Sequence, residues 1–185
     1  MAYHLYDQHG NEVTHHNLQD KGPWCQTGAT FEEAFVAKYG AGLNLIINPV
    51  KATDPYVPDL LNISKGNLAD LKTQNTPFFQ AGTYYKMDPQ FAVTFNLKDH
   101  RRYKELYPDI DLYFWVDWLI TGFVGSTEVH VEPMSGIWMV SFSELDKMVA
   151  TAPVHSYARR QNDQAGNARD SYVLSLRHPI FTRIV

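Results

Sequence analysis

Two carboxylates and a lysine are the first candidates for chemistry in this chain. They lie in the stretch Pro58-Asp59-Leu60-Leu61-Asn62-Ile63-Ser64-Lys65-Gly66-Asn67-Leu68-Ala69-Asp70-Leu71-Lys72-Thr73-Gln74. Asp70, Lys72 and Gln74 are spaced two apart, so on a strand their side chains leave the same face. Lys65-Gly66 reads as the turn of a hairpin with arms over residues 57–63 and 68–74. With a two-residue turn there, Asp59 falls opposite Lys72 and Asp70 opposite Leu61. Asp59, Asp70, Lys72 and Gln74 then share one face, and a one-residue slip of the register would undo the arrangement.

Carboxylate oxygens suit a hard cation such as Mg²⁺, which keeps several waters and takes one or two protein carboxylates plus substrate phosphate. An ion held there polarises a scissile phosphate and lowers the pKa of a bound water. A second ion about 4 Å away would stabilise the leaving oxygen. Lys72 would orient the attacking water as base or stabilise the charge developing on the phosphorane. The competing reading is a salt-bridged surface hairpin, a common and weakly stabilising arrangement.

Pro58-Asp59, then ten residues, then Asp70-Leu71-Lys72 resembles the signature of the PD-(D/E)XK nuclease superfamily. The resemblance covers roughly residues 28–80. It implies a restriction-endonuclease-like core: a helix, a three-stranded antiparallel meander carrying the signature, a further helix and a fourth strand. It also implies Mg²⁺- or Mn²⁺-dependent hydrolysis of DNA phosphodiesters by an endonuclease or exonuclease. Many members place a helix glutamate shortly after a glycine and before the meander. Gly28-Ala29-Thr30-Phe31-Glu32 fits that pattern, so Glu32 joins Asp59 and Asp70 as an implied metal ligand, with Glu33 as the fallback. Gln74 matches a polar residue common two positions after the lysine. The family also implies DNA as partner and admits a homodimer. The alternative is a nuclease-fold protein without activity that binds nucleic acid or a protein partner.

Holding these residues requires a helix and a sheet. Thr30 can cap a helix over residues 31–39, with Gly40 and Gly42 ending it. Residues 43–48, closed by Pro49, read as a buried strand, and 75–89 as an ordered loop. Residues 91–97 read as a strand, 98–107 as a polar helix stopped by Pro108, and 111–118 as a central strand. Residues 129–132 and 137–142 are expected to pair as a hairpin. Ser143 is expected to cap a helix reaching about Ala150, and residues 172–177 to form a last strand. The expected fold is therefore α/β, a central mixed β-sheet flanked by helices, in one domain over residues 1–185. Residues 1–25 form an irregular lead-in to it, and 151–185 a C-terminal arm.

Composition agrees with a packed globular chain: 44% hydrophobic and 14% aromatic residues exclude a disordered protein. The net charge of -4 is unevenly spread. Residues 101–150 carry four basic and eight acidic groups, whereas 151–185 carry five arginines against two aspartates. Arg159, Arg160 and Arg169, with Arg101 and Arg102 on the polar helix, are the candidate phosphate contacts. A single cysteine, Cys25, excludes an intrachain disulfide framework and reads as a buried apolar residue. His4, His9, His15 and His16 lack partners at ligand spacing. Asp111 and Asp117 share a strand face with Tyr113 and Trp115, which read as core. The N-terminus has no signal-peptide pattern and no apolar run nears the roughly 20 residues of a membrane span. A soluble, cytoplasmic protein is expected.

Overall fold

The computed structural model describes residues 3–13, 30–156 and 170–185. Part of the expected lead-in is ordered: β1 (His4–Asp7) buries Leu5 and precedes the first helix. That helix starts where Thr30 predicts. Thr30 Oγ1 accepts the Glu33 N–H at 3.2 Å, and Glu33 Oε2 accepts the Thr30 N–H at 2.6 Å, a reciprocal cap that satisfies otherwise orphaned donors. α1 (Phe31–Phe35) passes into a π-helical stretch, Val36–Gly40, and on into α2 (Ala41–Leu43). Gly40 and Gly42 do not end it, contrary to the sequence expectation. Asn44 does, at a left-handed φ of 56°. Gly40 serves close packing: a Cβ there would stand 2.6 Å from the Leu45 carbonyl oxygen and 2.9 Å from Val36 Cγ1.

β2 (Leu45–Ile47), β3 (Leu60–Asn62) and β4 (Leu68–Gln74) form an antiparallel meander. The next strand of this sheet, β6 (Asp111–Asp117), lies parallel to β4. A parallel neighbour needs a crossover, and α3 (Ala81–Tyr85), β5 (Ala92–Asn96) and α4 (Leu97–Leu106) supply it. α3 replaces part of the expected loop at 75–89. Gly82 is tolerated because the helix is barely one turn and ends at once on Lys86, at φ 55°. α4 is capped by Asn96, whose Oδ1 accepts the Lys98 N–H at 2.8 Å.

After β6 come β7 (Ile120–Val124), β8 (Glu128–His130), β9 (Ser135–Ser141) and α5 (Phe142–Val149). β10 (Val154–His155), β11 (Ser171–Ser175) and β12 (Thr182–Arg183) follow. The expected hairpin of residues 129–132 with 137–142 does not form. β8 pairs with β7, and β9 pairs with β6. Ile137, Trp138 and Val140 are buried, which calls for a place inside a large sheet, and Pro133 has no N–H for a hairpin ladder. The helix after β9 is capped by Ser141 rather than Ser143.

The result is a mixed α/β architecture whose six-stranded mixed sheet has the order β12-β9-β6-β4-β3-β2. Three-stranded sheets β1-β7-β8 and β10-β11-β5 complete it. β6 is buried on both sides and divides the core by its alternation. Tyr113 and Trp115 pack with Phe35, Leu45, Leu60 and Leu71 beneath the first helical segment. Leu112, Phe114 and Val116 pack with Phe95, Tyr103, Phe142 and Leu145 beneath α4 and α5. Among the described residues no helix is long and apolar enough to cross a membrane.

Gly-to-Ala in a helix ordinarily gains up to about 1 kcal/mol. Gly40→Ala is expected instead to lower the unfolding free energy by about 2 kcal/mol, because backbone must move. Gly42→Ala, with nothing within 4 Å of the added carbon, should not destabilise. Urea denaturation of both variants checks the contrast.

Candidate active site

The signature hairpin forms, with a register different from the expected one. Leu60 pairs with Ala69 and Leu61 with Leu68, which sets Asp59 against Asp70 rather than Lys72. The cause is a longer turn. Asn62 Oδ1 accepts the Ser64 and Lys65 N–H groups at 3.1 and 3.0 Å, and Gly66 takes a φ of 71°. The shift is by two residues, and an even shift preserves side-chain parity. The common face of Asp59, Asp70 and Lys72 therefore survives.

Asp59 lies one residue before β3, where the ladder has stopped. Its Oδ2 accepts the Leu71 N–H at 3.3 Å, in place of the carbonyl that β3 no longer supplies. Its own N–H donates to Asp70 Oδ1 at 3.2 Å. Asp70 is 3% exposed, and its Oδ2 receives the Tyr103 hydroxyl at 2.5 Å and the Lys72 ammonium at 2.7 Å. Lys72 Nζ is also 2.7 Å from Asp99 Oδ2 and 5.2 Å from the centre of the Tyr103 ring. Arg102 closes this side, with Nη2 3.0 Å from the Tyr103 hydroxyl and 3.5 Å from Asp99 Oδ1. On the other side Lys51 Nζ bonds Asp59 Oδ1 and lies 3.4 Å from Glu32 Oε1.

The geometry sets the protonation states. Burial, then the facing charge of Asp70, pushes the Asp59 carboxyl up to about 6, against the pull of Lys51. Burial acts on Asp70 in the same direction but is outweighed by Lys72, the Tyr103 hydroxyl and the Asp59 N–H, so its pKa is lowered. Burial favours a neutral Lys72, yet the carboxylates around it prevail and hold its pKa well above the usual lysine value. Tyr103 is likewise raised, by burial first, and donates its proton to Asp70.

Glu32 sits in the first turn of α1 and turns to Lys51, whereas Glu33 is taken up by the cap. Among the described residues no three or more His, Cys, Asp or Glu side chains are gathered closely enough to hold a metal ion. The ammonium of Lys51 stands between Glu32 and Asp59. Asp59 and Asp70 are two neighbouring carboxylates that repel each other, the donor type a hard cation takes. Four acids (Glu32, Asp59, Asp70, Asp99) against three bases (Lys51, Lys72, Arg102) leave one negative charge in excess.

Gln74 does not reach this group. Its Oε1 accepts the Thr94 N–H at 3.1 Å and its Nε2 donates to the Thr76 carbonyl at 2.8 Å, tying the end of β4 to β5. It lines a cavity of about 530 Å³ together with Lys72, Thr94, Asn96 and Asp99. Arg101 points to solvent, so of the two helix arginines only Arg102 belongs to the site. Arg159, Arg160 and Arg169 lie outside the described residues, as do Cys25, His15, His16 and Gly28. Asp111 is structural: its Oδ2 accepts from Asn67 Nδ2 at 2.9 Å. Sequence reasoning missed Lys51 and the roles of Asp99 and Tyr103. The last two were detectable as an i, i+4 pair on one face of a capped helix. Nothing in the spacing of Lys51 announces it. No family model, curated protein or solved structure matches the chain.

Two measurements check the electrostatics. Asp59 binds its proton more tightly folded than unfolded, so its contribution to stability is complete below pH 4 and is lost as pH rises through about 6. Asp59→Asn should therefore gain on the parent, by on the order of 2 kcal/mol, between pH 4 and pH 8 in denaturant titrations. Tyr103→Phe should cost about 1.5–3 kcal/mol at pH 7, because it removes a bond to a buried charged group.

Proposed function

We propose that this chain is a metal-dependent deoxyribonuclease of the PD-(D/E)XK type that hydrolyses DNA phosphodiester bonds. The observation that carries the reading is the triad itself. Asp59 and Asp70 stand side by side, and the Lys72 ammonium lies 2.7 Å from Asp70. The element order adds support: helix, antiparallel meander β2-β3-β4, helix α4, then β6 beside β4.

Asp59 and Asp70 would hold Mg²⁺ or Mn²⁺, which supplies a polarised phosphate and an acidified water. Asp70 is kept ionised for this by Lys72 and Tyr103, while Asp59, raised to about 6, is ionised at neutral pH. Lys72 stays an ammonium between two carboxylates, so its role is to donate hydrogen bonds to the developing phosphate charge rather than to abstract a proton. Tyr103 and Asp99 keep Nζ in place. The cavity beside Lys72, lined by both polar and aromatic side chains, would take the sugar–phosphate next to the bond being cut. DNA as substrate, and a homodimer acting on both strands, belong to this proposal. One observation favours the reading of a nuclease-fold binder without activity: Lys51 fills the gap between Glu32 and Asp59.

Cleavage of linear, supercoiled, single-stranded and branched DNA in Mg²⁺, Mn²⁺ or EDTA separates the two. The parent should cut with metal and not with EDTA. Lys72→Ala and Asp70→Asn should each lose about 10²–10³-fold in rate. A parent that binds DNA but cuts none of the panel in either metal favours the binder.

A further inference from the structure

Lys51 is a charged group of this cluster that the nuclease reading leaves without a task. It sits in a 3₁₀ turn, Pro49–Ala52, whose cap is Asn48. Asn48 is 3% exposed; its Oδ1 accepts the Val50 N–H at 3.1 Å, and its Nδ2 donates to the Pro58 carbonyl at 2.9 Å. This buried clamp fixes the base of the lysine against the chain that leads into Asp59. Its flexible stem then carries Nζ to Asp59 Oδ1 and Glu32 Oε1. The Lys51 side chain, 22% exposed against 21% for Lys72, makes no cation–π contact among the described residues. Lys72, in contrast, is pinned by two carboxylates and the Tyr103 ring.

An ammonium bonded to Asp59 competes with a bound cation for the same carboxylate. We propose that Lys51 is a tethered counter-ion of the metal site, a positioning residue that holds Glu32 and Asp59 face to face and withdraws when a divalent cation binds Asp59 and Asp70. The proposal rests on the metal-dependent reading above. Charge accounts for the exchange. With Lys51 withdrawn, Glu32, Asp59, Asp70 and Asp99 face only Lys72 and Arg102, which leaves two negative charges, matched by one divalent ion. The exchange is local: a lysine on a four-carbon stem can swing into solvent without moving backbone.

Calorimetric titration of the full-length parent, Lys51→Met and Lys51→Arg with MnCl₂ tests this. The Met variant should bind Mn²⁺ at least about tenfold more tightly than the parent, since a competing charge is gone. The Arg variant should keep the weaker parental affinity. A merely structural lysine would make the Met variant bind more weakly. If the parent binds Mn²⁺ and the Met variant binds equally or less well, the counter-ion role is overturned and the metal site stands. If none of the three binds Mn²⁺, both readings fall together. Should the Met variant not fold, acylation of lysines in the parent, followed by mass spectrometry, gives the same answer. Mn²⁺ should accelerate labelling of Lys51 several-fold and leave Lys72 unchanged. An unchanged Lys51 rate overturns the proposal.

Discussion

Asp70 is a carboxylate buried on a strand in the interior of a six-stranded sheet, and much of the surrounding structure follows from keeping it charged. Removing such a group from water costs several kcal/mol unless every lone pair finds a partner. Three partners arrive from three directions: Lys72 from the same strand, Tyr103 from α4, and the Asp59 N–H from the chain entering β3. Two of them depend on long-range assembly. Tyr103 reaches Asp70 because the crossover from β4 to β6 lays α4 across this face. It is held there by packing on Phe95 and Phe142, with ring centres 6.2 and 5.8 Å away.

The same compensation leaves Asp59 in conflict. It faces a charge that has already been secured, and its own partners are a backbone N–H and a partly exposed lysine. A surplus negative charge in a half-buried cleft is the kind of local inconsistency that proteins keep where chemistry needs it, at some expense of stability. Most of the chain shows no such tension. β6 alternates cleanly between two apolar clusters, and α1, α4 and α5 each begin on a side-chain cap.

Where local rules decide the conformation, the chain could be read directly. Thr30 starts the first helix, β4 runs over the expected residues 68–74, and the continuous apolar run expected as a strand at 111–118 becomes the central strand over Asp111–Asp117. The mistakes fall where distant contacts decide. β1 is a strand only because β7 pairs with it, and β8 and β9 separate because the core claims Ile137, Trp138 and Val140. The hairpin register depended on Asn62, whose side chain binds its own turn and lengthens the loop. For the site, the positions of Asp59, Asp70 and Lys72 on one face were accessible from a period of two. Lys51 was not, and Asp99 and Tyr103 were legible as an i, i+4 pair on α4 but not as partners of Lys72 and Asp70, since only tertiary folding brings those segments near.

The metal-dependent reading requires that Asp59 and Asp70 together accept a divalent cation. Diffraction at the manganese edge, from crystals of the full chain grown with Mn²⁺, tests it most directly. An anomalous peak is expected roughly 2 Å from oxygens of both carboxylates, with Lys51 no longer bonded to Asp59. Saturating Mn²⁺ with no peak at these residues, and Lys51 still on Asp59, would contradict it.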